Sequence, residues 1–587
     1  MRDTAWGTYT PRIEDLRIDE CDEACRVAYR AICAGPEGIF RYWARIEITA
    51  EGGIVFSAQG AAEAEFPTNR TGFVVLHPIE GVAGMPVQVL HTDDRIEQAR
   101  FPELIEPWQP VFDIRSLSHE PKPGLRVSCR MEGDAFEMED HRNWGDASYK
   151  TYIRPLAKGY PYVIPAGEQV MQSVMATVAG ASSQAMTTLL SDEPIRVSVR
   201  AAAGAMPAIG LAVDVEDCEA ALVQMEALAA IGVQNLLIRF DTRRHGAGEA
   251  RHGETLRRAL GAGAVVEAVI PGRDPGIELA ALAAALAEGG LQPTVLIVVP
   301  VCDLKSRPSA VVQGEANLAE IAAAARVLFP AARIGGGTFA YFTELNRNPP
   351  LAANIDFITH GFAANIHAAD DISVMETLET VPHMARTLRE RFGSIPHHIG
   401  FAAIAMREAP YGAGPVPNPH GGRVAASRVD PRQRGLFGPA WALGFAARAA
   451  QEGIAAIGLA MPTGPFGIMS EEAEDRVLPI CTVLRGLASV AERRRHEVTI
   501  SHPGEVQAVA CEGKDGVELW IANLTANPVD VDIDGFEPTS LRLLDESSCP
   551  VSLVSPGGID ATARPFSQRR IALAPYTVAF LAGRPLG

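Results

Sequence analysis

Apolar and polar positions change rhythm twice along the 587-residue chain. Up to about residue 205, short alternating runs (YWARIEITA, GIVFSAQG, GFVVLHPI, LRVSCRMEG, YVIPAGEQVMQSVMATV and IRVSVRAA) are separated by Gly and Pro breaks. A period of two puts one face in a core and the other in water, so this region predicts an antiparallel β-sandwich. The stretch AAAGAMP, 201–207, reads as its exit linker. Beyond it, apolar runs alternate with Ala-rich amphipathic stretches, the signature of βα units. The predicted strands are GLAVDV (210–215), NLLIRFD (235–241), VVEAVI (265–270), TVLIVVPV (294–301), RIGGGTFAYF (333–342), IDFITHG (355–361), HIGFAAIAM (398–406) and AIGLAMP (456–462). Eight such units close a (β/α)8 barrel. From about residue 497 the alternation of period two returns, in EVTISHPG, VQAVACEG, GVELWIANLT and later runs. The expected fold is a central TIM barrel, 206–496, flanked by an N-terminal β-sandwich domain, 1–205, and a C-terminal β-sandwich domain, 497–587.

Two helix starts are marked by capping residues. Ser373 with Glu376 predicts a capping box ahead of VMETLETVPHMARTL. Asp430, Pro431 and Gln433 supply an N-cap, an N1 proline and an N3 partner before GLFGPAWALGFAARAA.

Composition narrows the function classes. A formal net charge of −19 disfavours a nucleic-acid partner, which is met by clustered Lys and Arg. No apolar run of about 18 residues is present, so no membrane span is expected, and the start MRDTAWGTYT lacks a basic n-region. A cytoplasmic protein is expected. The nine cysteines form no CxxC pair and are expected to be reduced thiols; Cys21, Cys25 and Cys33 lie close together without a second cluster that would make them a metal site.

In a barrel the loops after the strands carry the chemistry. The polar residues there are Asp214; Arg239, Asp241, Arg243 and His245; Asp303 and Lys305; Glu344, Asn346 and Arg347; His360, His367, Asp370 and Asp371; Arg407 and Glu408; then Asn418, His420 and Arg423. Glu344 ends the run GGGTFAYFTELNRN, where a partly desolvated carboxyl serves as an acid or base. An ion pair with Arg347 is the competing reading. In THGFAANIHAADD, His360 and His367 offer imidazoles that titrate near neutral pH. Together with Asp370 they also offer a divalent-metal set, although H-x6-H-x2-D matches no compact metal motif. Arg239 with Asp241 reads equally as a ligand grip or as a salt bridge at the barrel mouth. The loop YGAGPVPNPHGGR, with Asn418 and His420, is rich enough in Gly and Pro for a lid. Outside the barrel, EDHRNWGDASYKTY places Asn143, Trp144, Asp146 and Lys150 in one short run, which fits either a sugar site with Trp144 stacking or a contact between domains.

Several long runs, HRNWGDASYKTY, GGGTFAYFTELNRNPP, DFITHGFAANIHAADDISVMETLE, VDPRQRGLFGPAWALGF and MPTGPFG, resemble the bacterial D-apionate lactonase family across the whole three-domain layout. The resemblance implies hydrolysis of D-apionolactone to D-apionate in branched-pentose breakdown. A lactone is an internal ester, so its opening needs an activated water, a stabilised oxyanion and a proton for the leaving alkoxide. On that chemistry Glu344 or His367 is expected to activate water, His360 to protonate the leaving oxygen, and Arg407 or Asn346 to face the oxyanion. Asp241, Arg239, Asp370, Asn418, Asn143 and Trp144 are then the expected substrate-binding groups. No GxSxG elbow occurs, so direct water attack is expected over an acyl-enzyme. No cofactor is expected, with the divalent metal as the alternative, and the expected partner is a small sugar lactone.

Two rival readings stand beside this one. A retaining glycosidase of the clan A barrel type needs paired carboxyls after strands four and seven. Those ends here read PVCD and AMRE, leaving Asp303 and Glu408 as poor substitutes unless the strands are miscounted by one. A barrel that only binds carbohydrate is the third reading, since fold does not fix function.

Overall fold

The computed structural model describes the chain except residues 5, 22–23, 50–51, 181–192, 307–316, 471–475, 515 and 587, and the side chains of Cys21 and Thr49. It separates into two compact units: 1–143 with 147–192 and 411–413, and 144–146 with 193–410 and 414–587.

The second unit contains the barrel. Eight strands close it: β1 (Ala208–Asp214), β2 (Asn235–Asp241), β3 (Gly263–Ile270), β4 (Val295–Pro300), β5 (Arg333–Tyr341), β6 (Phe357–Ala363), β7 (His397–Ala403) and β8 (Ala456–Ala460). The sequence count of eight holds, with no strand missed or added. Leu237, Val265, Ile297, Phe357, Phe401 and Phe466 fill the lumen. On β6 the alternation is strict: Phe357 belongs to that lumen cluster, and Thr359, two residues on, approaches Gly400 together with Glu267. His360, between inward positions, points out to the surrounding helices.

The strand ends follow from local capping. Strand β5 stops at Tyr341 because Glu344, three residues on, accepts the Tyr341 backbone N–H at 3.2 Å and starts a one-turn helix, α1 (Phe342–Arg347). Helix α2 (Asp371–Glu376) is capped by Asp370, whose Oδ1 accepts from Ser373 N at 2.9 Å, so the expected Ser373 box is displaced by a carboxylate one turn earlier. Asp430 and Pro431 do open a helical segment, but it is a 3-10 turn, Pro431–Arg434; α3 (Phe437–Gln451) starts after a break at Gly435.

The strand Ile195–Ala205, read from sequence as the last of the N-terminal sandwich, lies instead in a nine-stranded sheet with the C-terminal strands. It runs antiparallel to Arg494–Ile500 and parallel to Val529–Asp534. The chain enters β1 and leaves the final barrel helix, Ile480–Ser489, at neighbouring points: Met206 N donates to Arg493 O at 2.8 Å. The segments flanking the barrel therefore pair with each other. Val197, Val199, Leu519, Ile521 and Leu581 form the core of this sheet.

The first unit is built on a twelve-stranded antiparallel sheet, with a small two-stranded ladder of Phe66–Thr68 and Tyr162–Ile164. EDHRNWGDASYKTY is a hairpin here: strands Phe136–Asp140 and Ser148–Tyr152 joined through the 3-10 turn His141–Trp144. Asp140 and Arg142 are fully buried and paired at 2.7 Å, and Lys150 lies 3.0 Å from Glu139. Eight free cysteines are described; the Cys21 side chain lies outside the described residues. No described helix is long and apolar enough to cross a membrane.

Candidate active site

Four side chains in the barrel unit meet beyond strands β5 and β6. Arg347, at the end of α1, carries its guanidinium 5.1 Å above the ring of Trp144. Trp144 in turn meets the His367 imidazole edge-on, with centroids 5.3 Å apart. His367 Nδ1 lies 2.7 Å from Asp146 Oδ2. Gly145, between Trp144 and Asp146, takes φ 91°, a left-handed value open to glycine, and this turn lets both neighbours reach the one imidazole. The His367 and Asp146 side chains keep 20% and 16% exposure, so the pair is partly desolvated and still within reach of a ligand.

An ionised carboxylate only accepts, so the Nδ1–H of His367 donates to Asp146, and the tautomer this fixes carries its basic lone pair on Nε2. This is the orientation a general base requires. Glu344 stands one helical turn from Arg347 on α1, 8% exposed, with Oε2 holding the cap.

A second cluster closes the barrel lumen. Arg239 donates to Glu267 Oε2 from Nε and Nη2, at 3.1 and 2.9 Å, and to Glu408 Oε1 at 2.6 Å. Arg407 donates to Asp214 at 2.8 Å and reaches Glu267 at 3.4 Å. Burial alone would raise the Asp214 carboxyl, but Arg407, Arg239 and Arg428 outweigh it and hold it at about 2. Burial likewise opposes the charge of Arg239, while Glu408, Glu267 and Asp214 reverse that and raise its pKa. The Tyr341 hydroxyl, which donates to Glu408 O at 2.7 Å, is raised well above the usual phenol range by burial and then by Glu408 and Glu344. These groups pair their charges with one another, although the buried Nε of Arg407 has no hydrogen-bond partner among the described residues.

Three family models match this chain: the D-apionate lactonase N-terminal domain over 1–181, its TIM barrel domain over 209–492 and its C-terminal immunoglobulin-like domain over 503–581. A D-apionate lactonase from Brucella anthropi is 38% identical over 549 residues, 92% of this chain and 90% of the relative. The chain belongs to the D-apionate lactonase family. Solved structures similar to it include a GH30 endoxylanase from Clostridium papyrosolvens, 11% identical with TM-score 0.44 over 67% of this chain and all of that one. A glucosidase from Croceicoccus marinus is 12% identical, with the same TM-score over 67% and 99%.

In this member of the D-apionate lactonase family the expected site residues divide. Glu344, Arg347, His367 and Trp144 come to the ends of β5 and β6 or to the loop that meets them. His360 does not. Its Nδ1–H donates to Gly361 O at 2.8 Å, its Nε2 faces His397 Nε2 at 2.9 Å, and its ring packs on Phe342 of α1. Fully buried outside the lumen, it is held down to about 4 by that burial, which corrects the expectation that it protonates the leaving oxygen. The anticipated metal set of His360, His367 and Asp370 is likewise not gathered among the described residues. Asp370 serves as the α2 cap and is kept low by the Ser373 bonds against the opposing effect of burial.

Arg239 and Arg407 are committed to the lumen layer, so Arg407 does not face a substrate oxyanion. The expected Arg239–Asp241 salt bridge does not form: Asp241 is held by Arg243 at 2.6 Å and Arg239 by Glu267 and Glu408, while Asn418 ties its own loop by bonds with Gly422 and a donated bond to Val429 O. Asn346 is buried on α1 and its carbonyl accepts from Arg391 at 3.0 Å; Asn143 is buried in the sheet unit. For the glycosidase rival, Glu408 is bound by Arg239 and Asp303 sits in the turn Val301–Leu304 after β4.

Glu267 was not singled out in the sequence, and Asp146 was named there for a sugar site but not as the partner of a histidine. Glu267 is the one charged residue in the apolar strand GAVVEAVI, a signal that a buried partner must exist. Asp146 stood in a run rich in polar residues, and nothing in the sequence tied it to a histidine 221 positions away.

Proposed function

We propose that the chain is a lactonase that opens D-apionolactone to D-apionate by attack of water on the ring carbonyl, with His367 as general base. The observation that carries this is the His367–Asp146 bond at 2.7 Å, which fixes the tautomer whose basic nitrogen is Nε2, the atom that takes a proton from water. As water adds to the carbonyl carbon, its proton passes to Nε2 and the carbonyl oxygen takes the negative charge. Arg347, which packs over the same Trp144 ring that His367 meets, is the cation that balances that charge. When the ring C–O bond breaks, His367 returns the proton to the departing alkoxide, giving a free hydroxyl and a carboxylic acid that ionises to a carboxylate by releasing the second water proton to solvent. Glu344 takes a hydroxyl of the sugar as acceptor. The relative named D-apionate lactonase, similar over nine-tenths of both chains, supports the choice of lactone.

Asp146 and His367 are also donor types that a divalent cation takes, and their closeness favours a second reading in which an ion activates the water. The test is pH-stat acid release from D-apionolactone beside a panel of aryl glycosides, with and without chelator. Acid from the lactone alone, unchanged by chelator, is expected. Loss on chelation turns the pair into metal ligands, and release of the aryl group without lactone opening overturns the lactonase.

A further inference from the structure

We propose that the N-terminal sheet unit holds a binding site for an uncharged planar aromatic molecule of about two rings, independent of the barrel chemistry. The evidence is a cavity of about 340 Å³ on one face of the twelve-stranded sheet. That volume lies at the small end of the range for small-molecule pockets.

The strand pattern makes the hollow. Residues two apart share a face, and opposed residues of antiparallel neighbours share it too. Phe56, Ala58 and Gly60 therefore alternate along one strand beside Phe40 and Tyr42 on the next, with Tyr42 opposite Gly60. Ala58 and Gly60 give a low floor and the rings stand around it. Gly60 is required for this: a Cβ there would lie 2.6 Å from Tyr42 Cβ and 2.8 Å from Phe40 Cε1. Phe40 and Phe66 close the core beneath, while Tyr29, Tyr42, Phe56 and Phe73 are left half-buried around the opening. Aromatic surface left around an unfilled hollow is what a ligand's burial would complete.

The lining also states the ligand's polarity. Among the described residues no Asp, Glu, Lys, Arg or His side chain lines the cavity, and burial lowers the pKa of the Met1 α-amino group at its wall, so charge is disfavoured there. The Tyr29 and Tyr42 rings meet edge-on, with centroids 6.4 Å apart, which puts two phenol hydroxyls among the lining residues to donate to an acceptor oxygen on the ligand. Gln172 is anchored by Phe73 N at 3.1 Å and Thr71 O at 3.4 Å, which fixes one wall of the pocket.

The probe is 2-naphthol, an uncharged two-ring aromatic with one oxygen, titrated calorimetrically into the full chain with saturating D-apionate present to occupy the barrel. One saturable site with a Kd on the order of 0.1 mM is expected. Ala58→Trp fills the hollow and is expected to weaken binding at least tenfold; Tyr29→Phe removes one hydroxyl donor and is expected to weaken it about fivefold. Lactone hydrolysis is expected to be unchanged in both. No saturable binding to the unaltered chain, or equal binding by Ala58→Trp, overturns the proposal. Where Ala58→Trp fails to fold, undiminished binding by Tyr29→Phe overturns the hydrogen-bonded pose.

Discussion

His367 donates from Nδ1 to Asp146 Oδ2 across 2.7 Å, joining two segments 221 residues apart in the sequence. The bond fixes which ring nitrogen carries the proton, and so which one is offered to substrate.

Asp146→Asn tests that role. An amide can present its N–H to Nδ1, which would drive the proton to Nε2 and remove the basic lone pair. kcat is expected to fall roughly 10²- to 10⁴-fold with KM changed little, as measured by initial rates of acid release. An unchanged kcat would count against a positioning role for Asp146.

Arg347→Gln keeps hydrogen-bonding capacity and removes the charge over Trp144. A loss of roughly 10²- to 10³-fold in kcat is expected if the guanidinium meets the oxyanion. A change confined to KM would place Arg347 on substrate hydroxyls instead.

The lumen layer predicts a stability cost without a catalytic explanation. Glu267 is 2% exposed and accepts from both Arg239 and Arg407. Glu267→Gln leaves two buried guanidinium groups short of a counter-charge, and urea unfolding is expected to show a loss of roughly 3–5 kcal/mol. A change under about 1 kcal/mol would mean that solvent or neighbouring carboxylates compensate the pair.

Acid sensitivity follows from the buried histidines. Burial holds His360 at about 4 and His398 at about 3, whereas unfolded histidine titrates near 6.5. Between those values the unfolded chain binds more protons, so stability is complete above about pH 6.5 and falls as pH drops toward 4. At pH 5 each of the two removes about 2 kcal/mol relative to pH 8. Asp214 acts in the same direction at lower pH: its stabilisation is present above the usual carboxyl value near 3.9 and is lost toward 2. Urea midpoints that stay level from pH 7 to pH 5 would contradict this.

The barrel was legible because each strand is an apolar run bounded by turn residues, a pattern that needs no knowledge of partners. Strand Ile195–Ala205 shows the limit: IRVSVRAA states that one face is buried but not against which sheet. His360 shows another, since its inward or outward direction depends on the phase of β6 relative to Phe357. Glu344 and His367 were singled out by their position after strands β5 and β6 alone, while the link from Asp146 to His367 needed the turn at Gly145 to be seen in space. Helix α1 was hidden in an apparent strand continuation because its cap, Glu344, was read only as chemistry.

The most direct test is the rate of acid release from D-apionolactone by His367→Gln, a folded and uncharged replacement, measured at saturating lactone. A fall of at least about 10³-fold with an unaltered thermal transition is expected of a general base. A rate within a few-fold of the unaltered chain would show that another group activates the water.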